Sequence, residues 1–211
     1  MKKFYYRLSI IKLLKFVWGF LFISLSLVPV SSAQQTDSAK YRIRVFGMNI
    51  GEFTVNQKTV GRDIHVEAIT NVEVKIIFTY RVKYIQESYY KDGILWNSHV
   101  QTIKNGNVYS DILLKREGEA YLITKDGSTD TIHGKITYSG SLLYFNEPEQ
   151  VQYLYKERTG EKSHIKCIAD HTYALMDEKN NKTNKYEYKD GVLDRAALIH
   201  PIATIYLERL M

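Results

Sequence analysis

The sequence predicts a mostly β protein, built as one strongly curved antiparallel sheet or an open barrel with at most short helical turns. Three observations support this fold class. The chain is rich in strand-favouring residues, including 17 tyrosines. Gly-containing and Asn-containing turn pairs recur, many of them about 10 residues apart, as in antiparallel hairpins. A long alternation of apolar and polar residues runs from Ile64 to Tyr84.

That alternating run is too long for one straight strand. It would reach about 70 Å at about 3.3 Å per residue. A compact domain of this size is only about 40 Å across. The alternation lapses at Ile76, Ile77 and Phe78, so we expect the run to bend, bulge or break over residues 75–78.

The N-terminus predicts a secretory signal peptide over residues 1–33. Five cations without an anion precede an apolar stretch, and small residues precede a cleavage site after Ala33. The stretch is shorter than the roughly 20 residues of a spanning helix, so no stable membrane span is expected after cleavage. We therefore expect an exported protein, periplasmic or secreted, with a short polar lead-in at 34–40 and a single β-rich domain at 41–211.

The charge balance argues against nucleic acid as a partner. The whole chain has 29 Lys and Arg against 23 Asp and Glu. Five of the 29 lie in the leader, so the mature chain has 24 cations against 23 anions. Phosphate recognition needs an excess of basic residues, and the mature chain does not supply one.

The sequence shows no recognised catalytic or cofactor motif. None of the six histidines has a familiar metal-ligand spacing, so we predict no metal site, no cofactor and no catalytic residue. Cys167 lies between apolar neighbours and is interpreted as a buried structural thiol. The adjacent Asp170 and His171 diverge on a strand, which disfavours a catalytic dyad.

A six-residue sequence occurs twice, as YKDGIL at 90–95 and YKDGVL at 188–193. It indicates either a duplicated half or the same hairpin turn used twice. Asp-Gly pairs favour tight turns, and six residues are too few to establish duplication. We favour the repeated hairpin.

The stretch SLLYFNEPEQ, residues 141–150, poses the main question of function. Its acids, Glu147 and Glu149, flank a proline and lack a marked pocket, so we interpret residues 146–149 as an exposed turn. The apolar residues before it are predicted to form a helical turn that is buried as a plug in one mouth of the sheet. If the region binds a ligand, aromatic side chains are the candidates, although ordinary cross-strand packing also explains them. The candidate residues are Tyr144, Phe145, Tyr153 and Tyr155.

Several motifs, in this order, resemble a family of exported bacterial proteins known as a domain of unknown function. They are YRIRVFGMNIGEFTV (41–55), KDGIL (91–95), LLYFNEPE (142–149), KERTG (156–160) and YEYKDGVL (186–193). The resemblance implies a β-rich exported domain without an assigned activity. It marks as family-pattern positions Gly47, Gly51, Leu143, Tyr144, Phe145, Glu147 and Pro148. The architecture also resembles periplasmic lipoprotein carriers, an analogy of fold that does not fix function.

Three functions remain open from the sequence. The first is a non-enzymatic binding or envelope-associated protein that holds an apolar or lipid-like ligand on a concave sheet face. The alternative is an interaction module that binds an envelope protein or a glycan through exposed tyrosines. The third is an unrecognised hydrolase, which would place Glu147 on the floor of an open cleft.

Overall fold

The computed structural model describes residues 34–75, 79–177 and 182–210. The predicted signal peptide at 1–33 lies outside the described residues. The strands are β1 Gln34–Val45, β2 Met48–Val60, β3 Asp63–Lys75, β4 Thr79–Lys91, β5 Ile94–Lys104, β6 Asn107–Glu117, β7 Ala120–Lys125, β8 Ser128–His133, β9 Tyr153–Lys156, β10 Glu161–Ala169, β11 Thr172–Asp177, β12 Lys182–Lys189, β13 Val192–Ile199 and β14 Thr204–Leu210.

These strands form one antiparallel sheet, which confirms the predicted fold class. The order is β8-β7-β6-β5-β4-β3-β2-β1-β14-β13-β12-β11-β10-β9. Because β8 and β9 lie at opposite edges, the sheet does not close into a barrel. A single 3-10 turn, Gly140–Tyr144, lies between β8 and β9. Among the described residues, no helix is long and apolar enough to cross a bilayer.

The long alternating run supplies two strands, and residues 76–78, where a bend or break is predicted, lie outside the described residues. It forms β3 and β4, which pair in register from Ile64 with Tyr90 to Lys75 with Thr79. The expected polar lead-in at 34–40 is extended, because β1 begins at Gln34, which pairs with Val60. Hydrogen bonding to β2 keeps this polar segment extended, although its first three residues bury no side chain.

The two YKDG segments adopt the same local structure. Each is a hairpin whose central Asp-Gly pair has positive φ at both residues, as the tight turns of hairpins require. In each hairpin the register shifts by one residue just beyond the turn, so that Tyr90 faces Leu95 and Tyr188 faces Leu193. The repeated hairpin predicted from the sequence is therefore present at both places.

The inner face of the sheet carries the core. Inward positions near its centre are almost fully buried, with Tyr41, Val55, Val66 and Leu193 all at 0% exposure. Strand direction places the turns at Arg62, Asp92-Gly93 and Asp190-Gly191 at one end of the sheet, here called the closed end. The turns at Phe46-Gly47 and Asn105-Gly106 lie at the opposite end, here called the open end.

Candidate functional site

The segment between β8 and β9 folds into the closed end as the predicted plug, here residues 140–145. Leu142 and Leu143 are each 5% exposed, and both belong to the core cluster. The ring of Tyr144 lies 4.9 Å from Phe53 and 6.2 Å from Tyr41, measured between centroids. The plug therefore adds aromatic and aliphatic surface to the middle of the inner face.

Two buried tyrosines, one from each YKDG hairpin, hold the plug. The Tyr188 hydroxyl donates to the Leu143 carbonyl at 2.8 Å. The Tyr90 hydroxyl hydrogen-bonds Ser139 and lies 3.1 Å from the Ser141 hydroxyl. Because a buried hydroxyl needs a partner, these contacts fix the plug at two points.

A buried carboxyl completes the first of these anchors. Glu157 is 3% exposed, and its Oε1 accepts from the Ser139 hydroxyl and, at 3.2 Å, from the Ser141 backbone N–H. Burial raises the pKa of Glu157 above its usual range, and the hydrogen bonds from Ser139 and Ser141 partly oppose that shift. A Cβ added at Gly140 would lie 3.0 Å from Glu157 Oε2, so any larger residue at position 140 would push on the buried carboxyl group.

Toward the open end, inward-facing apolar side chains keep access to solvent. Four of them lie beyond the plug, on strands β3, β4, β13 and β14, and the fifth is on the plug itself. All five are partly buried against the core. They are Val72, Tyr84, Tyr144, Leu198 and Ile205. Burial raises the pKa of Tyr84 and of Tyr144 well above the usual range of tyrosine. We use the name apolar recess for these five partly buried side chains at the open-end part of the inner face.

The four candidate ligand residues from the sequence do not form one surface. Tyr144 and Phe145 lie on the plug, partly buried against the core. Tyr155 is 3% exposed and its hydroxyl donates to the Gly160 carbonyl at 2.6 Å. Tyr153 is 58% exposed, with its ring 5.5 Å from that of His164. The structure thus places Tyr144 in the recess, keeps Phe145 beside it on the plug, and separates the exposed Tyr153 from both.

The predicted exposed turn at 146–149 is wrong for most of its length. Asn146 donates to Gln57 Oε1 at 2.8 Å, and Pro148 is fully buried. The Glu147 side chain is only 6% exposed, and it accepts from the Tyr173 hydroxyl at 2.9 Å. The segment is buried because it folds back against β2 and β11, which are distant in sequence.

Glu147 does not meet the geometric condition for a hydrolase. Its carboxylate lies 3.0 Å from His171 Nδ1 as well as against Tyr173. His171 is itself exposed at a turn, and the carboxylate raises the pKa of this histidine through a hydrogen bond. A carboxylate held by these contacts has no open cleft above it, so Glu147 is an anchor of the plug segment.

Cys167 is exposed, so the predicted buried thiol is wrong. It shares a strand face with Ile165, which is 2% exposed. However, β10 bulges between Cys167 and Ala169, and the strand end extends past the packed interior. The Cys167 thiol donates to the Ala169 carbonyl at 3.3 Å.

Sequence reasoning missed Glu157, Ser139, Ser141 and Tyr84. Glu157 and Ser139 are 18 residues apart, and a charged residue in KERTG reads as an exposed turn. No spacing within the sequence indicates their contact. Of these four residues, only Tyr84 could have been placed from the sequence, because its even position in the alternating run predicts that it lies on the inner face.

The family described as domain of unknown function (DUF6134) matches residues 41–210. The chain is also similar to a solved structure, the β-barrel-like protein of domain of unknown function DUF1849 from Brucella abortus. The two are 9% identical with a TM-score of 0.56, and the match covers 82% of this chain and 94% of the other. At that identity the similarity shows the fold alone. No curated protein matches the sequence.

Proposed function

This chain belongs to the family described as a domain of unknown function (DUF6134), and from its geometry we propose that it is an exported, non-enzymatic binding protein whose apolar recess holds an apolar or lipid-like group. The observation that carries the proposal is a difference in burial along the inner face: its central side chains are fully buried, whereas Tyr84, Tyr144 and their apolar neighbours toward the open end are only partly buried. Export rests on the composition of residues 1–33, with the cleavage after Ala33 as part of the proposal.

The proposal restricts the ligand to part of the concave face. Inward side chains near the centre, such as Tyr41, Val55 and Leu193, are 0% exposed. An acyl-sized chamber beside them would leave them accessible. The inner face beyond the plug combines apolar side chains with access to solvent, so we place the floor of the site at Tyr144 on the plug.

The hydroxyls of the recess tyrosines add polar contacts to an apolar wall. Tyr84 donates to Gln86 Oε1 at 2.8 Å, and a hydrogen-bonded row continues through Ser88 to Ser98. A pocket with apolar walls and a few placed polar groups is the usual form of a small-molecule site. An amphipathic ligand therefore suits the recess better than a pure hydrocarbon.

The test is a titration with a neutral fluorescent apolar probe, N-phenyl-1-naphthylamine, against a matched pair of variants. Val72→Lys places a charge in the recess, whereas Asn71→Lys places the same charge on the outer face one residue away. We expect probe affinity to fall at least tenfold in Val72→Lys and to change less than twofold in Asn71→Lys. Equal affinity in Val72→Lys and the parent protein would contradict the proposal, as would a parent protein that binds no probe.

A second candidate function is supported by aromatic residues on the outer face. Trp96 is 44% exposed and Tyr89 is 38% exposed, and both line a shallow depression that also includes His65. Exposed aromatic rings suit a glycan or a protein partner. If the probe binds in the recess, the Trp96→Ala variant should bind it with the affinity of the parent protein.

A further inference from the structure

A cluster of one imidazole and two carboxylates lies on the outer face of β3 and β4, away from the apolar recess. Its members are His65, Glu67 and Glu87, and their ligand atoms all lie within 4.8 Å of one another. His65 Nε2 is 3.1 Å from Glu87 Oε1 and 3.8 Å from Glu67 Oε1. We propose that this cluster, here called the outer cluster, binds a divalent transition-metal ion, for which Zn²⁺ is the natural probe.

The separations of the donor atoms fit one ion. Donor atoms about 2.1 Å from a tetrahedral Zn²⁺ lie about 3.4 Å apart. The two distances from His65 Nε2 fall on either side of that value. The third separation, between the two carboxylates, is no more than 4.8 Å, so side-chain rotations would bring the three donors around a single ion and leave a fourth position open to water.

The arrangement of the two carboxylates favours a cation between them. Glu67 and Glu87 are direct cross-strand partners in the β3–β4 pair. Like charges directly opposite each other destabilise a sheet. An ion between them removes that repulsion, and the mixed nitrogen and oxygen donor set suits Zn²⁺ better than Ca²⁺, which takes oxygen ligands.

The ligands are also oriented in advance. The His65 ring stacks on Tyr89, with 4.0 Å between centroids and 8° between planes. The Tyr89 hydroxyl donates to Glu87 Oε1 at 2.6 Å, so one aromatic side chain positions two ligands. Supporting contacts of this kind are typical of metal sites.

A second histidine lies beside the outer cluster. His99 on β5 is the direct partner of Glu87, and its Nε2 is 2.6 Å from Asp111 Oδ1. A histidine fixed by a carboxylate is the usual arrangement of a supported metal ligand. His99 is therefore the candidate for holding the metal-bound water at the fourth position.

The experiment is a Zn²⁺ titration by calorimetry of the purified protein in a Cys167→Ser background, which removes the exposed thiol as a competing ligand. The variants are His65→Gln and Glu87→Gln, with His133→Gln as the matched control at an exposed histidine elsewhere. We expect one Zn²⁺ per chain and a loss of affinity of at least tenfold in both cluster variants. The control should match the background.

Co²⁺ supplies a second measurement, which would not change if these residues had only a structural role. Bound Co²⁺ should give visible absorption bands that disappear in His65→Gln. Absence of Zn²⁺ binding to the background protein, or equal binding in His65→Gln and Glu87→Gln, would overturn the proposal. Stoichiometric Ca²⁺ binding that survives His65→Gln would overturn the assignment to a transition metal. Because the apolar recess is on the inner face, the result of its probe titration does not depend on whether the outer cluster binds a metal ion.

Discussion

The two YKDG hairpins use the same residues to hold the plug in chemically different ways. In each, a buried tyrosine faces a leucine at 0% exposure, and the leucine carbonyl accepts from a tyrosine of another strand: Tyr121 for Leu95 and Tyr41 for Leu193. The tyrosines of the hairpins themselves differ in their targets. Tyr188 reaches a backbone carbonyl, whereas Tyr90 reaches serine hydroxyls bonded to a buried carboxyl.

The difference separates a simple anchor from a network. The Tyr188 anchor is a hydrogen bond donated to the Leu143 carbonyl, with the Tyr138 hydroxyl beside it and no charged group in the hydrogen bond. The Tyr90 anchor depends on Glu157, which must be desolvated and satisfied by several donors at once. We therefore expect the β4–β5 side of the plug to carry the larger energetic consequences when a single residue is changed.

The largest expected effect is that of Glu157→Ala. It leaves the Ser139 hydroxyl and the Ser141 N–H without their carboxylate acceptor, and we expect a loss of about 3 kcal/mol in the free energy of unfolding, since each unsatisfied buried group costs about 1–3 kcal/mol. Urea denaturation measures it.

Glu157→Gln is the control, because the amide oxygen keeps the acceptor without the charge. The folded-state pKa of Glu157 lies above its unfolded value, so the native carboxyl costs stability as pH rises through and beyond the unfolded value. Relative to the parent, Glu157→Gln should gain stability from acidic to neutral pH. A constant difference across that range would contradict a raised pKa.

A smaller effect distinguishes the two hairpins directly. Tyr90→Phe removes a hydroxyl that contacts two serines, and Tyr188→Phe removes one whose donated hydrogen bond goes to the Leu143 carbonyl. We expect losses of about 2 and about 1 kcal/mol respectively, at about 1 kcal/mol per net hydrogen bond. If Tyr188→Phe were the more damaging, the network would not be the stronger anchor.

Local pattern was enough to predict the sheet. Alternation over residues 64–84 and the Asp-Gly pairs specify strand faces and turns, because both act through neighbours in the chain. The same local reasoning predicted the wrong environments for Glu147 and Cys167. The burial of Glu147 depends on Tyr173, 26 residues away, and the exposure of Cys167 depends on how far β10 extends past the core.

The candidate sites were harder to predict for the same reason. The apolar plug was expected from LLYF, but the recess beyond it requires knowledge of which strand ends meet. His65 and Glu87 are 22 residues apart, so a search for ligand spacing along the chain does not find them. Cross-strand register brings them together, and register is set by the whole sheet.

The most direct test of the account is where the apolar probe binds, measured by NMR of protein labelled with ¹³C-tyrosine, with Tyr84→Phe and Tyr144→Phe used for assignment. The account predicts that the probe shifts the ring resonances of Tyr84 and Tyr144 and leaves those of Tyr90 and Tyr121 unchanged. The largest shifts at Tyr89 and Tyr109, which are exposed, with none at Tyr84 or Tyr144, would contradict it and place binding on the outer face.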